Sequence, residues 1–334
     1  MLILAGDIGG TRSRLRALDD SSSNPLVIEA VYDSAAFSSL RDIILDFSHQ
    51  HHISHYDYAC LGLPGPVQQR RVNLTNLPWV VDADQLQSDC SIQTLQLIND
   101  FQAAAYGIET LCDEQRCCLQ TGQERPHAHR LVVGAGTGLG VSPIVFETGR
   151  YVPQASEGGH MDFAPINADQ LTLLKWLWSI WPHVSYERIL SGAGLETLYA
   201  FYAGLSHHNH QAWLNAETIQ KRAEQNDFIA QKTIETFVEI YGAYIGNLIL
   251  LWPSYGGVYI AGGIASKIRS WMQQNSFLDA LHHKGRMASL VQKTPIYLVM
   301  DESLGLQGAT NYARFALNAS AASIAQFNKA VSNN

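Results

Sequence analysis

A short apolar run, a glycine-rich turn carrying a threonine and a second stretch of strand character occur twice in this chain. That repetition limits the folds open to it more than any other feature. The first copy is Leu2-Ile3-Leu4-Ala5-Gly6-Asp7-Ile8-Gly9-Gly10-Thr11, continued by Leu15 and Ala17. The second runs from Leu131-Val132-Val133 into Gly134-Ala135-Gly136-Thr137-Gly138-Leu139-Gly140 and on through Val141–Phe146. Alternating apolar positions on either side of each turn predict paired strands. Glycines in the turn let several backbone N–H groups converge on one anion, because no Cβ blocks close approach. A single turn of this kind reads most simply as a hairpin. Two of them, one bearing Asp7, imply two related halves gripping a polyphosphate.

Neither turn fits the better-known phosphate motifs. A Walker A loop needs Lys followed by Ser or Thr after its last glycine, and no such run occurs. The dinucleotide fingerprint G-x-G-x-x-G fails at Leu139 when started from Gly134 and at Val141 when started from Gly136. That fingerprint also opens a helix, whereas Val141–Phe146 has the pattern of a strand.

At 334 residues there is room for two domains. We expect a small α/β domain over 1–110, completed by a C-terminal helix over 302–334, and a large α/β domain over 111–301. In the first, strands at Leu2–Ala5, Leu15–Leu18 and Leu26–Tyr32 form a meander, followed by helix 38–51, strand Tyr58–Leu63, helix 84–90, strand Leu95–Ile98 and a helix from Phe101. From Leu131 the order begins again: a meander, long helices between Leu171 and Trp252, strand Gly257–Ala261, helix 266–274, strand Pro295–Met300 and a closing helix from Gly305. Repeated βββ-αβα order predicts mixed sheets with helices and a cleft between the halves. In such sheets ligands gather beyond the carboxyl ends of strands, where Asp7, Asn99-Asp100 and Gly262-Gly263 all fall.

The formal net charge of −8, with no basic cluster larger than Arg70-Arg71, argues against a nucleic-acid partner. Five cysteines without a C-x-x-C pair fit reduced thiols in a cytoplasm. The apolar start, Met1–Ala5, is too short for a signal-peptide core. The uncharged stretch Ile240–Ser266 is broken by Asn247, Pro253, Gly256 and Gly257 and reads as helix then strand, with no membrane span expected. Gly242 and Gly246 read as a site of close helix packing.

With these residues in view, the chain resembles the bacterial glucokinases of the hexokinase and actin-like ATPase superfamily, from Leu2 to about Ala316. The resemblance rests on seven segments in the family's order: Gly6–Thr11, Thr75-Asn76-Leu77-Pro78-Trp79, Ile98–Phe101, Gly134–Gly140, Glu157–Pro165, Glu187–Gly192 and Gly257–Ile264. It implies two actin-like (ribonuclease H-like) ATPase domains around an interdomain cleft. It also implies ATP-dependent phosphorylation of D-glucose at its 6-hydroxyl, with magnesium, in a cytoplasmic homodimer.

The resemblance further implies roles for individual residues. Asp7 would hold Mg²⁺ through water, while Gly6, Ile8, Gly9, Gly10 and Thr11, with Thr137 and Gly138, would meet the phosphates. Local chemistry also allows Asp7 to be a plain turn former. Asp100 would be the general base that accepts the sugar hydroxyl proton; on spacing alone Asn99-Asp100 reads equally as the cap of the next helix. Asn99, Asp100, Glu157, His160 and Glu187 would clamp the sugar, since carboxylates and imidazoles bind neighbouring hydroxyls. His160 also suits a structural turn, and Glu187 suits an ordinary acid at a helix start. Glu-x-x-His is a metal spacing on helices, which Gly158-Gly159 disfavours here. Gly262 and Gly263 would let adenosine lie against backbone, or simply allow strand and helix to pack. Gly305-Leu306-Gln307-Gly308 marks a second helix start that can complete such a pocket.

Two positions depart from the family pattern: Arg12 stands where Asn is usual, and Pro153-Gln154-Ala155-Ser156 lacks the usual Pro-Gly. The nearest rivals are a hexose kinase of the repressor–kinase (ROK) type or of broader specificity, and a non-catalytic sugar-sensing regulator on the same fold. No cysteine follows Gly159, so a ROK-type zinc site is not expected. A regulator needs a DNA-binding module, and Asp7 already lies in the first strand.

Overall fold

A computed structural model describes residues 1–19, 26–74, 77–205 and 213–317. The chain divides into two compact units, one formed by Met1–Leu111 with the segment from Ser303 onward, the other by Cys112–Glu302.

The first unit is built on strands β1 (Leu2–Ile8), β2 (Arg12–Asp19), β3 (Leu26–Asp33) and β4 (Tyr58–Leu63), with helix α1 (Leu40–Gln50) between β3 and β4. After them come a small hairpin, β5 (Arg71–Asn73) and β6 (Val80–Asp82), then α2 (Ala83–Asp89), β7 (Leu95–Asn99) and α3 (Asp100–Gly107). The main sheet has the order β3-β2-β1-β4-β7. Its first three strands are antiparallel and β1, β4 and β7 run parallel. Strand alternation divides the apolar side chains between two faces. Leu4, Ile8, Leu15, Leu61 and Leu97 pack on α1 and the hairpin side. Ile3, Ala5, Leu18 and Cys60 pack with Ala103 of α3 and with Leu306 and Ala309 from a helix spanning residues 304–317. Gly308 makes the second packing possible: a Cβ there would lie 1.6 Å from the Ala103 carbonyl oxygen.

The second unit repeats the plan. Its elements are β8 (Arg116–Gln120), β9 (Arg130–Ala135), β10 (Leu139–Glu147), β11 (Arg150–Pro153), α4 (Ala168–Leu177), α5 (Gly192–Tyr202), α6 (Ala216–Glu224) and α7 (Phe228–Leu251). These are followed by β12 (Val258–Ala261), α8 (Gly263–Lys267), α9 (Arg269–Met272), α10 (Asn275–His282), α11 (Ala288–Gln292) and β13 (Ile296–Val299). The sheet order is β11-β10-β9-β12-β13-β8. Strands β11, β10 and β9 are antiparallel, β9, β12 and β13 are parallel, and β8 adds an antiparallel edge. Both sheets therefore share three antiparallel strands continued by two parallel ones, the arrangement expected of a duplicated α/β fold.

Helix α7 is long and apolar enough to cross a membrane, but 72% of its most apolar window is buried within the protein. It is the core helix of the second unit. A Cβ on Gly242 would lie 2.3 Å from the Phe277 carbonyl oxygen and one on Gly246 2.5 Å from that of Leu281, so this G-x-x-x-G pair lets α10 cross closely.

Local boundaries differ from expectation at two helices, and five further elements appear. Helix α3 starts at Asp100 because Asn99 takes the cap. The helix expected over 266–274 is two short ones, α8 starting already at Gly263, with Ile268 (φ −99°, ψ 28°) breaking the run. Strand β8, the hairpin β5–β6 and helices α10 and α11 were not anticipated.

Candidate functional site

In the first unit the parallel strands β1, β4 and β7 deliver their carboxyl ends to one edge of the sheet. Asp7 and the Gly9-Gly10-Thr11 turn emerge from β1, and Asn99-Asp100 from β7. The turn is tight: the Gly9 N–H donates to the Arg12 carbonyl at 2.9 Å, and a Cβ on Gly9 would lie 2.8 Å from that oxygen. Ser34 holds it from outside, its N–H donating to the Thr11 carbonyl at 3.0 Å and its hydroxyl to the Gly9 carbonyl at 2.8 Å.

Asp7 is half-buried, and its carboxyl carbon would lie 2.8 Å from a Cβ on Gly305, so the start of the 304–317 helix fits around the carboxylate only as glycine. Burial raises the Asp7 carboxyl above its ordinary range, and the neighbouring Arg14 guanidinium pulls it partly back. Arg14 is the cross-strand partner of Asp7. The signal for it was available in the sequence, because two residues flanking a tight turn at equal distances pair directly in a hairpin. Gly6 is buried, its missing Cβ making room for Leu61. Ile8 turns into the opposite, apolar face and offers a ligand only its backbone.

The Asn99-Asp100 pair divides its work. The Asn99 side chain accepts from the N–H groups of Phe101 (2.9 Å) and Gln102 (3.4 Å), while the Gln102 side chain accepts from the Asn99 N–H, a reciprocal capping box. Asp100 is thereby the first helical residue, half-buried, with one carboxylate oxygen accepting from the Phe101 N–H at 2.9 Å. Gly62 on β4 permits this helix to start close to the sheet: a Cβ there would lie 2.8 Å from that of Ala103. The Asn99 amide also donates to the Gly65 carbonyl at 3.4 Å, next to a recess of about 410 Å³ lined by Pro66, Gln68, Gln69, Arg71, Asn73 and Val80 of the hairpin. Thr75 and Asn76, which lie between β5 and β6 in sequence, fall outside the described residues.

In the second unit Glu157, His160 and Glu187 converge. His160 lies 3.8 Å from Glu157 and 3.9 Å from Glu187. Both separations exceed hydrogen-bond length, so the three groups are neighbours without saturating one another. Backbone bonds between Phe163 and Val184 and between Tyr186 and Met161, each 2.9 Å, bring the two segments side by side. Glu157 precedes a single 3-10 turn, Gly158–His160, and does not sit on a regular helix. Gly159 lets that turn lie on the sheet, since a Cβ there would lie 2.0 Å from the Leu139 carbonyl oxygen.

Glu187, the candidate with the plainest alternative reading, proves the best connected. Its carboxylate accepts from the Leu139 N–H at 2.9 Å and lies over Gly138, where a Cβ would meet it at 2.6 Å. The glycine turn is closed by Gly136 N–H to the Gly138 carbonyl (2.8 Å) and linked to α5 by Gly192 N–H to the Gly136 carbonyl (2.9 Å). Thr137 stands exposed at its tip. Gly262 sits beside this turn, just past the end of the neighbouring parallel strand β12, with φ +89°, and a Cβ there would lie 2.5 Å from the Ala135 carbonyl oxygen. Gly263 faces open space. In contrast, Gly305 lies in the first unit against Asp7.

Among the described residues no three or more His, Cys, Asp or Glu side chains gather into a metal cluster. His207, His208 and His210 fall outside the described residues.

Two like-built sheets, each with a glycine turn and acidic groups at the carboxyl edge of its parallel strands, define a sugar kinase of the actin-like ATPase fold. Solved structures agree. A glucokinase from an Antarctic psychrotroph superposes with a TM-score of 0.80 at 28% identity, covering 94% of this chain and 98% of that one. A ROK-family glucokinase from Streptomyces griseus shares the fold, with a TM-score of 0.63 at 19% identity over 94% of this chain and 99% of its own. The chain belongs to the glucokinase family: the family model described as Glucokinase matches residues 4–316. Among its relatives, the glucokinase of Nostoc sp. is 36% identical over 333 residues, spanning 92% of this chain and 97% of that protein.

Proposed function

We propose that this protein transfers the γ-phosphoryl group of ATP to the 6-hydroxyl of D-glucose, as a cytoplasmic homodimer. Family membership over residues 4–316 supports the reaction. The Streptomyces griseus protein of the same fold has been solved with glucose and AMPPNP. The observation that carries the assignment of the base is the division of work at the end of β7. Asn99 carries the helix cap, and the half-buried Asp100 carboxylate, which accepts from the Phe101 N–H, stands beside it at the carboxyl end of β7.

In this reading Asp100 accepts the proton of the 6-hydroxyl as the oxygen bonds to the γ-phosphorus and ADP leaves. Glu157, His160 and Glu187, with Asn99, hold the remaining hydroxyls. Their spacing of about 4 Å suits groups that share a vicinal diol. The turn amides of Gly9-Gly10-Thr11 and of Thr137-Gly138 bind phosphate oxygens, and Gly262-Gly263 supports the nucleoside. Asp7 would hold Mg²⁺ through water: a half-buried carboxylate packed against Gly305 suits an ion that keeps several waters and takes further ligands from phosphate. When bound, the ion neutralises charge on the transferring group.

The test is a coupled ADP-release assay across glucose, mannose, fructose, N-acetylglucosamine and no sugar, run on the wild type and on Asp100→Ala. Glucose-dependent turnover is expected for the wild type. The variant should lose turnover and keep glucose binding within about tenfold. Equal loss of binding and turnover would make Asp100 a sugar ligand and remove it as the base.

A further inference from the structure

The strand that follows the first glycine turn carries arginine at every second position: Arg12, Arg14 and Arg16. Directly paired residues in an antiparallel ladder share a face. Asp7 pairs with Arg14 and Ala5 with Arg16, so all three arginines stand on the face of the sheet that carries Asp7 and receives the 304–317 helix.

The three differ in what they do. Arg16 is 8% exposed and fully engaged: it donates to Glu29 at 2.9 Å, to Gln307 at 2.9 Å and to Thr310 at 3.1 Å. Arg14 faces Asp7 and opposes the effect of its burial. Arg12 is exposed and, among the described residues, makes no side-chain hydrogen bond or ion pair. Its cross-strand partner Asp33 is an obvious counter-ion, but that carboxylate accepts from the Ala35 N–H at 3.0 Å and caps a 3-10 turn. The backbone under Arg12 is nevertheless fixed, by the Gly9–Arg12 bond and by the Ser34 contacts to Gly9, Thr11 and Ser13. The result is a positioned backbone bearing a solvent-facing guanidinium, at the mouth of an anion-binding turn, on a chain whose net charge is −8.

We propose that Arg12 is a phosphate-binding residue of the nucleotide site, contacting the β-phosphate of a nucleoside di- or triphosphate. This rests on the proposed kinase reading and assigns to Arg12 a role that the glycine turns do not by themselves require. A guanidinium presents a planar fork of donors that matches phosphate oxygens, and such charge-assisted bonds are the stronger kind. It also offsets the repulsion between the Asp7 carboxylate and a polyphosphate when both lie at one turn.

The experiment is calorimetric binding of ATP, ADP and AMP, and of glucose separately, to the wild type, Arg12→Ala and Arg12→Lys. Arg12→Ala should weaken ATP and ADP about tenfold, the equivalent of one charge-assisted contact, and leave AMP and glucose unchanged. Arg12→Lys should recover part of the loss, because it restores charge without the fork. Unchanged ATP affinity in Arg12→Ala, or an equal loss for AMP and glucose, overturns the assignment. A wild type that binds no ATP, or releases no ADP with glucose, overturns the kinase reading itself and is recognised before any variant is made.

Discussion

Replacing Glu187 separates its observed job, holding the second glycine turn, from the sugar contact proposed for it. The Leu139 N–H is on a residue only 5% exposed and donates to Glu187 at 2.9 Å across 48 positions of sequence. Glu187→Ala removes the acceptor and orphans that donor. Hydrogen bonds to charged groups contribute about 1.5–3 kcal/mol, and an unsatisfied buried donor costs about 1–3 kcal/mol. The Glu187 side chain is 32% exposed, so water can enter and reduce the loss. We therefore expect a destabilisation of about 2 kcal/mol, or a fall of roughly 4–8 °C in the melting temperature of a unit this size. Glu187→Gln keeps an acceptor oxygen at the same reach and should cost less than about 1 kcal/mol. The functional readout then splits. The alanine variant should raise KM for both ATP and glucose, because the turn loosens; the glutamine variant should raise that for glucose alone. Urea denaturation with two-substrate kinetics checks both parts. Equal stability of the two variants, or an ATP KM untouched by alanine, would mean that the Leu139–Glu187 bond does not organise the turn.

Three further outcomes follow from the geometry. Asp7→Asn should abolish turnover yet melt higher than the wild type near neutral pH. Burial raises the folded carboxyl above its unfolded value of 3.8, so its ionised form costs stability that disappears as pH falls toward that value; a melting difference independent of pH would refute this. Gly308→Ala should destabilise the first unit by about 3 kcal/mol in chemical denaturation, because its Cβ has no space beside the Ala103 carbonyl, and a neutral result would contradict the packing described. Thiol titration of the native protein should label the exposed Cys112 and Cys118 and spare Cys60 and Cys90 until unfolding, since burial pushes the Cys60 thiol well up and that of Cys90 to about 11.

The two sheets were legible because strand alternation and glycine turns are local signals. Leu2–Ile8 and Arg130–Ala135 announce themselves within a few residues. The hairpin β5–β6 did not, since Arg71-Val72-Asn73 is only three residues long and offers one buried apolar residue. Strand β8, Arg116-Cys117-Cys118-Leu119-Gln120, lies at a sheet edge and has no buried residue, so no face is marked as apolar. The candidate residues could be named from the sequence, but the contacts among them could not. The approach of Glu187 to Leu139 depends on how the segment after the sheet folds back, through bonds such as Tyr186 to Met161 that are backbone in character and invisible in side-chain pattern. The Asn99-Asp100 ambiguity was real at the level of composition, because both residues cap helices well; only the geometry distinguishes them.

That distinction has a practical side. In the proposed reading Asn99 carries the cap and Asp100 the proton transfer, so replacing the acid keeps the capping box between Asn99 and Gln102 in place. A protein altered only at position 100 should remain an intact but inert receptor, able to accumulate the unreacted ternary complex that turnover ordinarily consumes.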